Sequence, residues 1–597
     1  MLSPDNREIY TSALTPPDGF TFDTGLATTF SLDPAVLLSI PLEIALGSIS
    51  GKDETDPIAL LEGLRSIANR LTVFVDRGRT HVPKQANQLY GLLESMISEV
   101  RAPLGGSFHP KMWLLRFIDN DSDEPLLRLL ILSRNITADN SWDICMQIEG
   151  YPTGRNVAGN KALFDLITKL PEYCVEKLTK NRKKQIGSLA NECRRTKWNL
   201  PEGFETLEFI TLGDGRAFKP EWTDELAIIS PWVGESALRQ LSASTENLRI
   251  IISRSEDLDT HKRDLGKLAK KWHCLSERAE IDDGEEASNP ELIGLHAKVY
   301  IGKRGWDTHI YIGSANATNV ALVRGSNVEL LAHLTGKKSR IGSIDTLLGS
   351  DGLGPFLYEY DWDVEPPEAD KQKEKAQKLL EKARETIINA DIELECCEVS
   401  TDRWKQSLKT NSEIKLKGVD SFVAWPLTVR NERAVDCLGL SPQKELSLGQ
   451  YSKASLSTLI AFSISSNIVK LSLQFVLCLP ITGLPEDRDD EILRSIIKDK
   501  ESFLRYLMLL LGKYGNGFPV LKKHSTGGSG GYGKWRVGTP LLEDMIRTLS
   551  RDPERLEAIS NILVKLKSNE ESDDTIVPGE FKKLWESFDE ILRQTIK

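Results

Sequence analysis

Residues 107–150 read SFHPKMWLLRFIDNDSDEPLLRLLILSRNITADNSWDICMQIEG, and residues 294–334 read GLHAKVYIGKRGWDTHIYIGSANATNVALVRGSNVELLAHL. Both blocks run in one order: His-x-Lys, an apolar strand-like run, Ser-x-Asn, then an acid inside a second apolar run. The first set is His109, Lys111, Ser133, Asn135 and Asp143; the second is His296, Lys298, Ser314, Asn316 and Glu329. His-to-Asn separations are 26 and 20, and Asn-to-acid separations 8 and 13. A shared order with unequal spacing is what loop-length variation on one scaffold produces. With eight His in the chain, roughly 0.5 chance His-x-Lys matches are expected. Two matches in duplicated context therefore outweigh the alternative of core histidines and turn-capping asparagines.

The flanks repeat too. LTVFVDRG (71–78) is a strand candidate ahead of a helix-like stretch at about 85–98, and LRIIISRS (248–255) one ahead of a helix-like stretch at about 261–272. Further upstream, ATTFSLDPAVLLSI (27–40) parallels AIISPWVGESALRQL (227–241). Strands alternating with helices predict an α/β class with mixed sheets. Two pseudo-symmetric units are expected, over 1–170 and 200–362, joined by a basic helical connector over 171–199. Pro366-Pro367 and a charged helix mark a boundary. Residues 370–597 are then expected to form an α+β accessory domain that binds DNA or a partner. There Leu471, Leu473, Phe475, Leu477 and Leu479 alternate as one buried strand face does, and HSTGGSGGYGKW (524–535) reads as a loop without phosphate-loop spacing.

In an extended chain His109 and Lys111 point to one side, as do His296 and Lys298. Each pair presents an imidazole and an ammonium together, and Asn135 or Asn316 adds an amide donor. Such a trio suits phosphate: Lys supplies charge, Asn a directed N–H, His a nucleophile or proton carrier. Two facing trios would clamp a phosphodiester, one His attacking phosphorus while the other protonates the leaving oxygen. No metal or cofactor is required. Asp143 and Glu329 are expected to orient the imidazoles by accepting a ring N–H, with Ser133 and Ser314 in supporting positions.

Composition excludes other classes. The 597 residues are 40% hydrophobic and 27% charged, with net charge −11. Those are globular values, incompatible with a disordered chain or a disulfide miniprotein. The acidic balance argues against a histone-like coat but leaves room for a local basic groove. No apolar run approaches the roughly 20 residues of a membrane span, and the polar start MLSPDNREIY does not read as a signal peptide. The eight Cys include no CxxC pair, so reduced thiols, no zinc site and a cytoplasmic location are expected.

With His-x-Lys and Ser-x-Asn occurring twice, the chain resembles the phospholipase D superfamily. The Asp that commonly lies five residues after the Lys is replaced by Arg116 and Lys303. Tyrosyl-DNA phosphodiesterase is the branch that also lacks it, and HPKMWLL, SRNITADNSW and SANAT are similar to its motifs. The resemblance covers about 1–362. It implies two phospholipase D-like α-β-α sandwich units sharing one active site, with His109 as nucleophile and His296 as general acid/base. It further implies that Lys111, Asn135, Lys298 and Asn316 bind phosphate. The missing Asp disfavours lipid substrates and favours nucleic acid. The tail is similar to tails of bacterial phospholipase D-like proteins, some encoded with helicases or ring ATPases in anti-phage defence. That implies an ATPase or helicase partner.

The function expected is thus metal-independent hydrolysis of single- or double-stranded DNA through a phosphohistidine. The alternatives are removal of 3′ adducts and a non-catalytic DNA-binding subunit. Lys177–Lys197 carries eight Lys/Arg against one acid, Glu192, and either tracks a phosphate backbone or is a solvated helix face. Trp113, Trp142, Trp232 and Trp306 lie near the motifs, as base-stacking groups or core aromatics. The acidic run Glu277–Glu286 reads as an exposed loop rather than a metal site.

Overall fold

The structure, a computed structural model, describes residues 12–46, 56–139, 141–276, 294–350, 352–364, 370–466, 468–511, 553–566 and 576–595, with 542, 545, 546, 548 and 549. The acidic run 277–286, Pro366-Pro367 and the glycine-rich 524–535 lie outside the described residues.

The chain is a mixed α/β protein of several sheets flanked by helices. Two large sheets repeat one plan. The first holds β1 (Phe20–Thr29), β2 (Leu71–Asp76), β3 (Ile97–Val100), β4 (Met112–Asp119), β5 (Pro125–Leu132), β6 (Cys145–Pro152) and β7 (Thr196–Trp198), in the order β3-β2-β1-β4-β5-β6-β7. The second holds β8 (Phe204–Leu212), β9 (Thr223–Ile229), β10 (Thr245–Ser253), β11 (Lys271–Leu275), β12 (Val299–Arg304), β13 (Asp307–Gly313), β14 (Glu329–Lys337) and β15 (Leu357–Glu359), in the order β15-β11-β10-β9-β12-β13-β14-β8. Apart from β15 the orders superimpose strand for strand. In each, three strands run parallel (β1, β2, β3; β9, β10, β11) and the rest pair antiparallel.

The central strands explain themselves. PLLRLLIL in β5 is buried along nearly its whole length, as a strand covered on both faces must be. Its one charge, Arg128, is buried and neutralised by Glu149 at 2.7 Å, while its Nη1 donates to the Ala13 and Thr15 carbonyls. The side chains of β4 sort by parity: Met112 and Leu114 join one core, Trp113 and Leu115 the other. Helix Pro57–Ile67 begins with Asp56 accepting from the Ile58 amide and Pro57 at its first position, a conventional start.

Two helix expectations are corrected. Within 85–98 only Tyr90–Leu93 is α-helical, and 97–100 is β3. Within 261–272 there is a 3-10 turn, Arg263–Leu268, before β11. In both places the strand that follows, β3 or β11, pairs parallel with β2 or β10 and takes only the end of the stretch, the residues before it forming turns and one short helical turn.

Residues 171–199 contribute helix Lys180–Arg195 and then β7, which closes the first sheet against β6. Arg182 in that helix donates to the carbonyls of Ala68, Leu71 and Ser95. It serves the scaffold, whereas Lys177, Lys180, Lys183 and Lys184 are exposed. Beyond residue 370, helix Lys371–Asn389 precedes two four-stranded sheets, drawn from 392–482, and then helices. Strand Leu471–Cys478 turns Phe475 and Leu477 into its own core. Val476 faces the other way, joins the core of the first sheet and donates its amide to the Thr80 carbonyl at 2.9 Å. Arg488 completes the attachment, binding Glu94 at 2.5 Å and the Gly91 carbonyl. No described helix is long and apolar enough to cross a membrane.

Candidate active site

The two halves are sewn together beside the His-x-Lys motifs. Ser107 and His109 bracket Val328: Val328 donates to the Ser107 carbonyl (3.0 Å) and His109 donates to the Val328 carbonyl (2.9 Å). Reciprocally, Trp142 donates to the Gly294 carbonyl, and His296 donates to the Trp142 carbonyl, both at 2.9 Å. Each His is thus fixed by backbone of the opposite half, one residue away from the opposite acid: Val328 precedes Glu329 and Trp142 precedes Asp143.

The imidazole–carboxylate pairs cross the seam. His109 Nδ1 lies 2.9 Å from Glu329 Oε2, and His296 Nδ1 lies 2.8 Å from Asp143 Oδ1. Each acid is also held by the serine of its own half: Ser314 donates to Glu329 at 2.5 Å and Ser133 to Asp143 at 2.7 Å. A carboxylate on Nδ1 fixes the N–H there and leaves Nε2 with its lone pair outward. The matching of acids to histidines across the halves is not readable from spacing, which places each acid after its own half's Asn.

Lys111 and Lys298 are fully buried, each donating Nζ to the carbonyl of its own motif's histidine at 3.0 and 2.5 Å. Burial pushes both ammonium groups down, Lys298 to about 7, and the charge of Lys298 adds to the effect on Lys111. Burial likewise lowers both imidazoles, His296 to about 4 with help from Lys298 and Lys111. Burial alone would raise the two carboxyls, but the histidine beside each brings Asp143 and Glu329 below their ordinary range. These mutual influences place both lysines, both imidazoles and both acids within one electrostatic neighbourhood. The asparagines stand at the same stations. The Asn135 amide oxygen accepts from Ser31 N at 3.4 Å, while Asn316 Oδ1 is buried without a partner among the described residues, as is Asp143 Oδ2. The histidines, lysines, serines and acids of both motifs therefore meet at the seam, with Asn135 and Asn316 each two residues beyond the serine of its own half.

Two aromatic shelves flank the imidazoles. The Phe30 ring lies 5.0 Å from His109 and the Trp232 ring 6.0 Å from His296. Each shelf has two cations over it: Arg79 and Lys111 at 4.9 and 5.7 Å over Phe30, Arg254 and Lys298 at 5.2 and 5.8 Å over Trp232. The loops beneath are equivalent. Thr29 Oγ1 accepts from the Ile136 amide and donates to the Ser31 carbonyl; Ser230 Oγ accepts from the Ala317 amide and donates to the Trp232 carbonyl. By this register Phe30 aligns with Pro231, and Trp232 with Ser31. The aromatic sits one position apart in the two halves, so comparing the repeats does not reveal Phe30 as a partner of Trp232. Asp76 was also missed: it accepts from the Phe108 amide at 3.0 Å, beside His109, and burial pushes its carboxyl up to about 6.

The other tryptophans divide. Trp142 belongs to the seam, Trp113 is core, and Trp306 is 74% exposed at the β12–β13 turn, under Lys338. Arg116 and Lys303 serve ion pairs, with Asp23 and Glu192 in one case and Glu225 in the other.

Neither a family model nor a curated protein sequence matches this chain. Among solved structures, the polyphosphate kinase from Porphyromonas gingivalis is similar over 54% of this chain at 11% identity and a TM-score of 0.28. The match spans 44% of that protein, less than half its length, and is too distant to carry fold or function across.

Proposed function

We propose that this chain is a phosphodiesterase of the phospholipase D type, hydrolysing DNA phosphodiester bonds without a metal. The crossed pairs His109–Glu329 and His296–Asp143 carry the reading, because two oriented imidazoles from different halves are what a two-step displacement needs.

In the first step His109 Nε2 attacks phosphorus, the P–N bond forms and the P–O bond to the leaving group breaks. Protonated His296 gives its Nε2 proton to the leaving oxygen. In the second step neutral His296 takes a proton from water, the oxygen attacks phosphorus, and the P–N bond breaks to return His109. Lys111 and Lys298 offset the charge on the nonbridging oxygens, with the Asn135 and Asn316 amides as donors. Burial and the lysines hold His296 down to about 4. The charge of a phosphodiester set between the lysines acts in the opposite direction, so substrate binding is what loads the acid.

DNA as substrate, and residues 370–597 as the attachment for an ATPase or helicase, belong to the same proposal. Incubating the chain with single- and double-stranded DNA, with and without EDTA, beside His109→Ala tests it. Turnover in EDTA that vanishes in the variant supports the reading; turnover that needs a metal and survives the variant defeats it. A 3′-phosphotyrosyl oligonucleotide as a third substrate distinguishes strand cleavage from adduct removal.

A further inference from the structure

A second constellation lies at the other end of two strands that serve the site. His309 on β13 and His333 on β14 project from the same face of the second sheet, on diagonal positions of an antiparallel pair in which His309 faces Thr335 and Tyr311 faces His333. Both histidines are buried. His309 Nδ1 lies 3.1 Å from His333 Nε2, and the Thr335 hydroxyl lies 3.4 and 3.5 Å from those same two nitrogens. Glu221, from the loop ahead of β9, brings Oε2 to 3.9 Å from His309 Nδ1. Tyr311 stacks on His333 with ring centroids 4.1 Å apart and donates nothing to the cluster; its hydroxyl accepts from the Glu221 amide at 3.3 Å, which anchors that loop.

The geometry points to a binding site for one divalent zinc-class cation, with His309, His333 and Glu221 as ligands and Thr335 beside the fourth position. A single ring N–H can serve only one acceptor, yet His309 Nδ1 faces three polar atoms at once. A cation among them serves all. Four ligands about 2.0–2.2 Å from a tetrahedral ion stand about 3.3–3.6 Å from one another; the four contacts around His309 and Thr335 run from 3.1 to 3.9 Å, and the ligand atoms of His309, His333 and Glu221 all lie within 4.8 Å of one another. Two neutral imidazoles with one carboxylate are a ligand set suited to zinc. Glu221 Oε2 also meets Arg304 at 3.3 Å, a contact the ion would compete with.

The site is structural in position. His309 is five residues before Ser314, which at about 3.3 Å per residue is roughly 16 Å along the strand. His333 is four residues beyond Glu329. An ion there fixes the register of β13 on β14, whose far ends carry Ser314 and Glu329.

The test uses the full chain, stripped with chelator and titrated with Zn²⁺ against a chromophoric competitor, then with Co²⁺. One equivalent of Zn²⁺ per chain, a higher Tm on binding, and tetrahedral cobalt bands without thiolate charge transfer are expected. His309→Gln/His333→Gln should lose the stoichiometric site, and Glu221→Gln should weaken it about 10-fold or more. Absence of stoichiometric uptake by the wild type, or the same uptake and spectrum in the double variant, overturns the proposal and leaves a His–His hydrogen bond. Should the double variant not fold, the exposed Glu221 decides: an unchanged affinity and cobalt spectrum in Glu221→Gln overturns it as well.

Discussion

The two half-sites carry the same residues but are not equally constrained. His109 Nδ1 faces two acceptors, Glu329 Oε2 at 2.9 Å and the Ser314 carbonyl at 3.0 Å. Glu329 is wholly buried, and its second oxygen accepts from Asn327. His296 has Asp143 as its acceptor, the second oxygen of Asp143 has no partner among the described residues, and the shelf beside it, Trp232, is 39% exposed. Under the proposed mechanism the contrast divides the labour. A nucleophile gains from a fixed line of attack, whereas a group that passes a proton to a departing oxygen and then to water needs an open approach. The tight half suits attack and the looser half proton transfer.

The sharpest way to break this comparison is to delete each imidazole. His109→Ala is expected to lower turnover roughly 10⁴-fold or more, while His296→Ala retains attack and accumulates a covalent adduct resolvable on denaturing gels. Equal loss without adduct in both would erase the asymmetry. The carboxylates come next. Glu329→Gln should cost about 10³-fold in kcat and Asp143→Asn about 10- to 100-fold, with Tm measured to confirm folding. A reversed order would reassign the nucleophile. A smaller effect is expected at the shelves: Trp232→Ala should raise KM for single-stranded DNA about 10-fold, as loss of one stacked base does. Phe30→Ala, half-buried, should lower Tm more than it raises KM.

The smallest effect is a pH dependence of stability. Folded His296 titrates near 4, because burial and Lys298 disfavour its cation, against an ordinary 6.5. Between those values the unfolded chain takes up a proton that the folded chain does not. Stability from this group is therefore complete above about 6.5 and is lost as pH falls through 4, at no more than about 1.4 kcal/mol per pH unit. His296→Gln should flatten the Tm profile over that window, and an unchanged slope would place the titration elsewhere.

Much of the site was legible because the chemistry repeats. His-x-Lys before an apolar run, with Ser-x-Asn after it, marks a strand pair whose ends meet in one place, and the doubled pattern pointed to the histidines, lysines, serines and acids that the fold brings together. What spacing could not convey is which acid serves which imidazole, since that depends on how two sheets face each other. Phe30 stayed hidden because its counterpart is displaced by one residue, and Asp76 because it acts through a backbone amide. The short helices were over-read at 85–98 and 261–272, where the parallel strand that follows takes only the end of each stretch. His309 and His333 carry no spacing signal, being 24 residues apart and neighbours only through the register of β13 on β14.

Because each imidazole borrows its carboxylate from the other half, neither half is a smaller version of the whole. Parting the sheets by more than a hydrogen bond tolerates would disarm both histidines in the same instant. Under the proposed mechanism, turnover is then a gauge of how firmly the halves are pressed together. A protein that grips one half and levers it gains a switch over the reaction without ever touching the substrate.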